Sequence, residues 1–179
     1  MGIKVNIRRA LSMLASTFCS HAKMSKNNRN EREDISMELG LKNKVVIVLA
    51  SSSGLGKSTA LTFATEGAKV IITGRDAERL NKAREEIASK TGAEVEAVQM
   101  DVCKAEDIDR LVATVVEKFG TIHVLVNNAG GPPPGVFWET DDEAWNSAYE
   151  LTLMSSVRMT RAVLPYMRKQ KWGRIINIT

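Results

Sequence analysis

From residue 44 onward, short runs rich in β-branched residues alternate with longer amphipathic stretches, and few architectures accept that alternation. The run at 44–50, KVVIVLA, is continuously apolar, as a strand covered on both faces of a parallel sheet must be. A helix is predicted from Gly56 to about Glu66, closed by Gly67. A second strand is predicted over 70–73. Asp76 is placed to cap the next helix, whose buried stripe is Leu80, Ala83 and Ile87 and which runs to about Lys90. A third strand covers 95–99, after which Ile108, Leu111, Val112, Val115 and Phe119 recur at helical spacing until Gly120. A fourth strand at 124–127 leads into a Gly/Pro loop at 130–135. A long helical region then starts at Asp141 or Asp142 and reaches toward Gln170, and a fifth strand begins at Arg174 and continues to Thr179. The succession specifies a doubly wound α/β domain with a parallel sheet and right-handed crossovers.

Charge is distributed unevenly. The net +4 is carried by residues 1–36, with seven Lys or Arg against three acids, and the remainder is neutral. A basic nucleic-acid face on the folded body is therefore not indicated. The 44% apolar content suffices for a core, yet no run approaches the roughly 18 to 20 apolar residues of a membrane span. Cys19 and Cys103 are the two cysteines, with one in the body, so neither a disulfide framework nor a thiolate metal site is supported.

Three readings of residues 1–36 compete. Arg8, Arg9, Ser12, Ser16 and Ser20 in an acid-poor start suit an organelle presequence. A secretory signal fits less well, because Ser12, Ser16 and Thr17 interrupt the apolar stretch 10–19 and no small-x-small site closes it, and a disordered leader is grouped with the presequence. Met37, which opens a polar run-in to the first strand, could instead be the true start, because codons for Arg32-Glu33-Asp34 can spell a ribosome-binding sequence. A cytoplasmic location is expected, unless the leader is a presequence.

The turn after the first strand reads Ala50-Ser51-Ser52-Ser53-Gly54-Leu55-Gly56-Lys57-Ser58. Gly54 and Gly56 allow close backbone approach to an anion, and the following helix offers its free N–H groups. Two chemistries compete for it. As a triphosphate loop it has Gly56, Lys57 and Ser58 but Ser51 at the leading glycine, with Asp101 as a candidate metal-holding acid. As a dinucleotide turn it has Gly54-x-Gly56 but Ala50 at the leading glycine. Each pattern lacks one glycine.

Two further elements lie beyond the turn: Asn127-Asn128-Ala129-Gly130 after the fourth strand, and Asp101-Val102 after the third. With the glycine turn, they resemble the short-chain dehydrogenase/reductase family, of the 3-oxoacyl-carrier-protein reductase type, over about 41–179. The resemblance implies the first five strands of a Rossmann fold and an oxidoreductase using a nicotinamide dinucleotide on a small carbonyl substrate such as a 3-oxoacyl thioester. It also implies a homo-oligomer for the complete protein.

The same resemblance assigns residues. Ser51, Ser52, Ser53, Gly54, Leu55 and Gly56 would hold the cofactor phosphates. Asp101 would accept from the adenine amino group beside Val102, with a helix cap for 104–119 as its alternative role. Asn128, Ala129 and Gly130 would lie along the nicotinamide ribose, and Asn127 would tie strands together. Gly74 stands where an acid would bind the ribose hydroxyls of NAD, and Arg75 follows it, which favours NADP(H) over NAD(H). A second basic residue within the turn is lacking, because Ser53 occupies its place.

In Glu150-Leu151-Thr152-Leu153, Thr152 occupies the family's Asn position, where Asn shapes a helix kink and holds a relay water. The family's acid–base groups are a Ser after the fifth strand and a Tyr-x-x-x-Lys. Neither is found here, since Tyr149 and Tyr166 have Leu153 and Gln170 at the Lys spacing. The 179-residue chain is therefore expected to be a catalytically incomplete fragment, with a fifth strand that exposes an unpaired edge. His123 is expected to be structural. Trp138 and Trp145 are expected to pack, and Met154, Met159, Met167, Val157, Val163 and Leu164 to form core or subunit contact.

Overall fold

The computed structural model describes residues 38–178. The readings of 1–36, of Met37 and of Thr179 lie outside the described residues. The elements run β1 (Val45–Val48), α1 (Gly54–Thr65), β2 (Lys69–Gly74), α2 (Ala77–Thr91), β3 (Val95–Gln99), α3 (Ala105–Phe119) and β4 (Val124–Asn127). A short 3-10 turn (Phe137–Glu139), α4 (Asp142–Tyr149), a π-helical turn (Glu150–Met154), α5 (Ser155–Lys169) and β5 (Arg174–Asn177) complete them.

All five strands are parallel, in the order β3-β2-β1-β4-β5. β1 lies centrally, with Ile47 opposite both Ile71 of β2 and Leu125 of β4. That position explains its lack of polar residues: strand side chains alternate between faces, and both faces are covered. Val45 and Ile47 join Leu111, Val115, Met159 and Val163 on one side, where α3 and α5 pack. Val46 and Val48 join Ala60, Phe63, Leu80 and Ile87 on the other, beneath α1 and α2. The result is a three-layer α/β/α arrangement.

Local signals set the element ends. Asp76 accepts the Arg79 N–H (3.0 Å) and caps α2, and Asp141 accepts the Ala144 N–H (2.9 Å) and caps α4. Gly92 and Gly120 end α2 and α3 in the left-handed conformation. The predicted long helix after Asp141 is interrupted by the π-helical turn, where Thr152 and Ser155 hydroxyls donate to the carbonyls of Ala148 (2.7 Å) and Leu151 (2.6 Å). Such bonds to the preceding turn loosen regular helical pairing.

α5 divides the apolar residues predicted there. Met159, Val163 and Met167 are buried, whereas Val157 and Leu164 face outward. Among the described residues no helix is long and apolar enough to cross a membrane, and no cluster of three or more His, Cys, Asp or Glu could hold a metal ion.

Candidate dinucleotide site

The strand order reverses between β1 and β4, and in open α/β sheets ligands bind outside the carboxyl ends of the strands at such a point. The glycine turn leaves β1 there. Its helix begins at Gly54, two residues earlier than the predicted Gly56, because Ser53 is already the extended N-cap residue. Ser53 makes no side-chain capping bond, and the first turn of α1 has no acid. The amide groups at this end are thus left for an anion.

The turn is built from unusual backbone. Ala50 has φ +46° and Gly54 has φ +56°. A Cβ on Gly56 would stand 2.4 Å from the Ala50 carbonyl oxygen and 2.8 Å from Asn128 Nδ2, so only glycine fits. Around Gly54 and Gly130 the space is open, with nothing within 4 Å of an added Cβ. A closely packed base beneath an open lip fits a pyrophosphate laid along the turn.

Two residues predicted to touch the cofactor, Ser51 at its phosphates and Asn128 at its nicotinamide ribose, are bonded within the protein. Ser51 is fully buried; its Oγ donates to the Val48 carbonyl (2.7 Å) and accepts the Thr73 N–H (2.9 Å). Its hydroxyl therefore joins β1 to β2 and is not presented to a ligand, which corrects the phosphate role expected for it. Asn128 Nδ2 donates to the carbonyls of Leu49 and Ala50 (3.2 Å each), clamping the end of β4 to the turn. Thr73, which the sequence did not single out, accepts the Ala50 N–H on its Oγ1 (3.2 Å). Ser52 is half-buried, and Ser53, Gly54 and Leu55 are exposed at the lip, with Ala129 half-buried and Gly130 exposed across from them.

Lys57 does not face the turn's anion position. Its Nζ pairs with Glu86 on α2 at 2.6 Å, which holds the Glu86 carboxyl below its usual range. The lysine that a triphosphate loop would need is committed to helix–helix pairing.

At the end of β3, Asp101 Oδ1 accepts the Cys103 N–H (3.0 Å), and Asp107 Oδ2 reaches back to the Asp101 N–H (2.8 Å). The alternative role of Asp101 as cap for 104–119 is not realised, since Lys104 is the N-cap residue. Val102 is buried beside it. Burial first, and then the Asp101 charge, pushes the Cys103 thiol up. The Asp107 carboxyl is held down first by the Asp101 N–H and then by Arg110.

Asn127 is buried, and its Nδ2 donates to Asn177 Oδ1 (2.8 Å) and Thr160 Oγ1 (3.3 Å), tying β4 to β5 and α5. His123 is structural: its Nδ1 accepts the Val45 N–H (3.0 Å), and its ring meets Trp172 edge-on. Trp138 and Trp145 do not pack inward as expected. They are 82% and 53% exposed, and Phe137 stands edge-to-face against Trp145 at 6.1 Å. The segment carrying them leaves the carboxyl end of β4 through the Gly/Pro loop.

Comparisons with known proteins agree with this geometry. Residues 44–179 match the profile of the short chain dehydrogenase family. An uncharacterized oxidoreductase of Staphylococcus saprophyticus is 41% identical over 138 residues, covering 77% of this chain and 59% of that protein. The 3-oxoacyl-[acyl-carrier-protein] reductase of Aquifex aeolicus is 35% identical over 143 residues, covering 80% and 58%. The crystal structure of L-sorbose reductase from Gluconobacter frateurii, complexed with NADPH and L-sorbose, superposes with a TM-score of 0.76 at 38% identity, covering 79% of this chain and 54% of that one. The chain thus spans between half and three fifths of the length of these relatives. It belongs to the short-chain dehydrogenase/reductase family of oxidoreductases.

Proposed function

We propose that residues 38–178 form the cofactor-binding half of an NADP(H)-dependent reductase of small carbonyl compounds, a 3-oxoacyl thioester being the leading substrate class. The observation that carries this reading is the surface around Gly74. Gly74 ends β2 where an acid would accept ribose hydroxyls, and Arg75 follows with its carbonyl pinned by Gln99 Nε2 (2.8 Å). A Cβ on Gly74 would meet Ser52 Cβ and Oγ at 3.4 Å, an ordinary contact, so the reading rests on the missing carboxylate at this position and not on lack of space.

The residues divide the work. Amides and hydroxyls from Ser52 to Leu55, over the base made by Gly56, hold the phosphates. Ser51, Thr73 and Asn128 keep the turn in shape behind them. Asp101 and Val102 receive the adenine, and Ala129 and Gly130 flank the nicotinamide ribose. The bound nicotinamide would supply or take up hydride. Thr152 occupies the relay position, but its hydroxyl already donates to the Ala148 carbonyl, which weakens it as a water holder. Phe137, Trp138 and Trp145 offer apolar surface to the substrate.

Tyr149, Leu153, Val157 and Leu164 lie exposed along α4, the π-helical turn and α5, and this stripe is where we place a homo-oligomer contact. The protein is read as cytoplasmic unless its leader is a presequence.

A second reading, a dinucleotide-binding module without catalysis, is favoured by one observation: the Thr152 hydroxyl at the relay position is already bonded to the Ala148 carbonyl. One experiment addresses both readings. The purified chain should quench or shift NADPH fluorescence on binding and leave a 3-oxoacyl thioester unreduced. Absence of NADPH binding overturns the cofactor reading, and NADPH oxidation by the chain overturns its catalytic incompleteness.

A further inference from the structure

We propose that Arg158, through its ion pair with Glu150, sets the rotational phase of α4 and the π-helical turn against α5, and is thereby a positioning residue for Thr152. The helix does not break between Asp142 and Lys169: Glu150, Met154 and Ser155 keep right-handed helical backbone, and only the pairing changes. The Ser155 N–H donates to the Glu150 carbonyl, five residues back. In a regular helix it would take the Leu151 carbonyl, which here accepts the Ser155 hydroxyl (2.6 Å). A turn of this width takes up about one residue more than a regular one.

That extra residue brings the charged pair together. Arg158 Nη1 lies 2.6 Å from Glu150 Oε2, and both side chains are partly buried. Eight residues separate them, which in a regular helix would leave them about 80° apart around the axis; with one residue absorbed they fall within about 20° of one face. Neither has an opposite charge at regular spacing. Leu153, Met154 and Val157 stand three, four and seven residues after Glu150, and Ser155, Met154 and Leu151 stand three, four and seven before Arg158. The ion pair thus belongs to the wide-turn register. The two sides of the turn are also held unequally. α5 buries Ser155, Met159, Val163 and Met167, whereas α4 and the turn bury no residue fully, and Leu151 packs only partly against the core. Core packing fixes the phase of α5 and leaves most of that of α4 to the ion pair. Closing the turn would swing Tyr149 by about a quarter turn against α5 and carry Thr152 part of the way.

Amide hydrogen exchange of the ¹⁵N-labelled chain tests this, with Ser155 read against Met159 and Val163. Arg158→Gln and Glu150→Gln should each speed exchange at Ser155 about threefold and leave Met159 and Val163 unchanged, while Arg158→Lys should stay close to the wild type. The charge-swapped double variant, Glu150→Arg with Arg158→Glu, should restore protection at Ser155. Equal acceleration at all three amides assigns the pair a general stabilising role and overturns the inference; so do unchanged exchange at Ser155 and a double variant that restores nothing. The consequence for Thr152 rests on the relay reading above, but the exchange measurement uses neither cofactor nor substrate. Loss of NADPH binding would therefore sink that reading and leave the phase of the helix untouched.

Discussion

Ala50 is the most instructive position to perturb, because it holds a glycine's conformation without being glycine. Its φ of +46° lies in the left-handed region, which costs an L-residue roughly 1–2 kcal/mol. The backbone bonds that fix it are its N–H to Thr73 Oγ1 and its carbonyl to Asn128 Nδ2, and both survive loss of the methyl group. Ala50→Gly therefore relieves the strain and gives back about 0.4–1 kcal/mol to the freer unfolded chain. The net is a stabilisation of about 0.5–1 kcal/mol. Urea denaturation followed by circular dichroism should show a higher midpoint at constant slope. Gly54→Ala supplies the opposite sign within the same turn. Its φ is +56° with open space around the added methyl, so it should lose about 1–2 kcal/mol through backbone strain alone. An Ala50→Gly variant less stable than the wild type, or a neutral Gly54→Ala, would refute the assignment of strain to the first residue of the turn.

Three other outcomes are expected. Gly56→Ala places a methyl 2.4 Å from the Ala50 carbonyl oxygen; it should cost about 1–3 kcal/mol in urea denaturation and abolish NADPH binding measured by fluorescence. Lys57→Ala removes the ion pair with Glu86 and should lower the melting temperature slightly without changing NADPH affinity, whereas a triphosphate loop would lose its ligand. His123 is held below its ordinary pKa by burial first and by Lys44 second. The unfolded chain then binds the proton more readily, so this stability is fully present above the unfolded value of about 6.5 and is lost as pH falls toward the folded pKa. Melting curves between pH 7.5 and 5, as an order-of-magnitude window, should show a flatter pH dependence for His123→Gln than for the wild type.

Periodicity made the layers legible. The strands expected at 95–99 and 124–127 are β3 and β4, because their β-branched runs have glycine or polar stops on either side. Asp76 was readable as a cap from its position before an amphipathic stripe, and the glycine turn and the Asn127–Gly130 element were readable as one site through their joint resemblance to the short-chain dehydrogenase/reductase family. What sequence could not show is where a polar side chain points when its partner is far along the chain. Ser51 turns inward to Thr73, and Asn128 reaches back 78 and 79 residues to the turn. Both are polar residues at a ligand-facing loop, and local pattern gives no sign that they are occupied by backbone. Trp138 failed in the opposite sense: aromatic residues usually pack, and the Gly/Pro loop carries this one out to solvent.

The central claim is that the turn after β1 and the ends of β2, β3 and β4 together bind one dinucleotide. Amide NMR spectra of the ¹⁵N-labelled chain titrated with NADP+ test it most directly. The account predicts saturable shifts at Ser52, Ser53, Gly54 and Leu55, at Arg75, at Val102 and at Gly130, with α3 and the far ends of the strands unmoved. Shifts confined to one of these segments, or a response to magnesium ATP in place of NADP+, would contradict it.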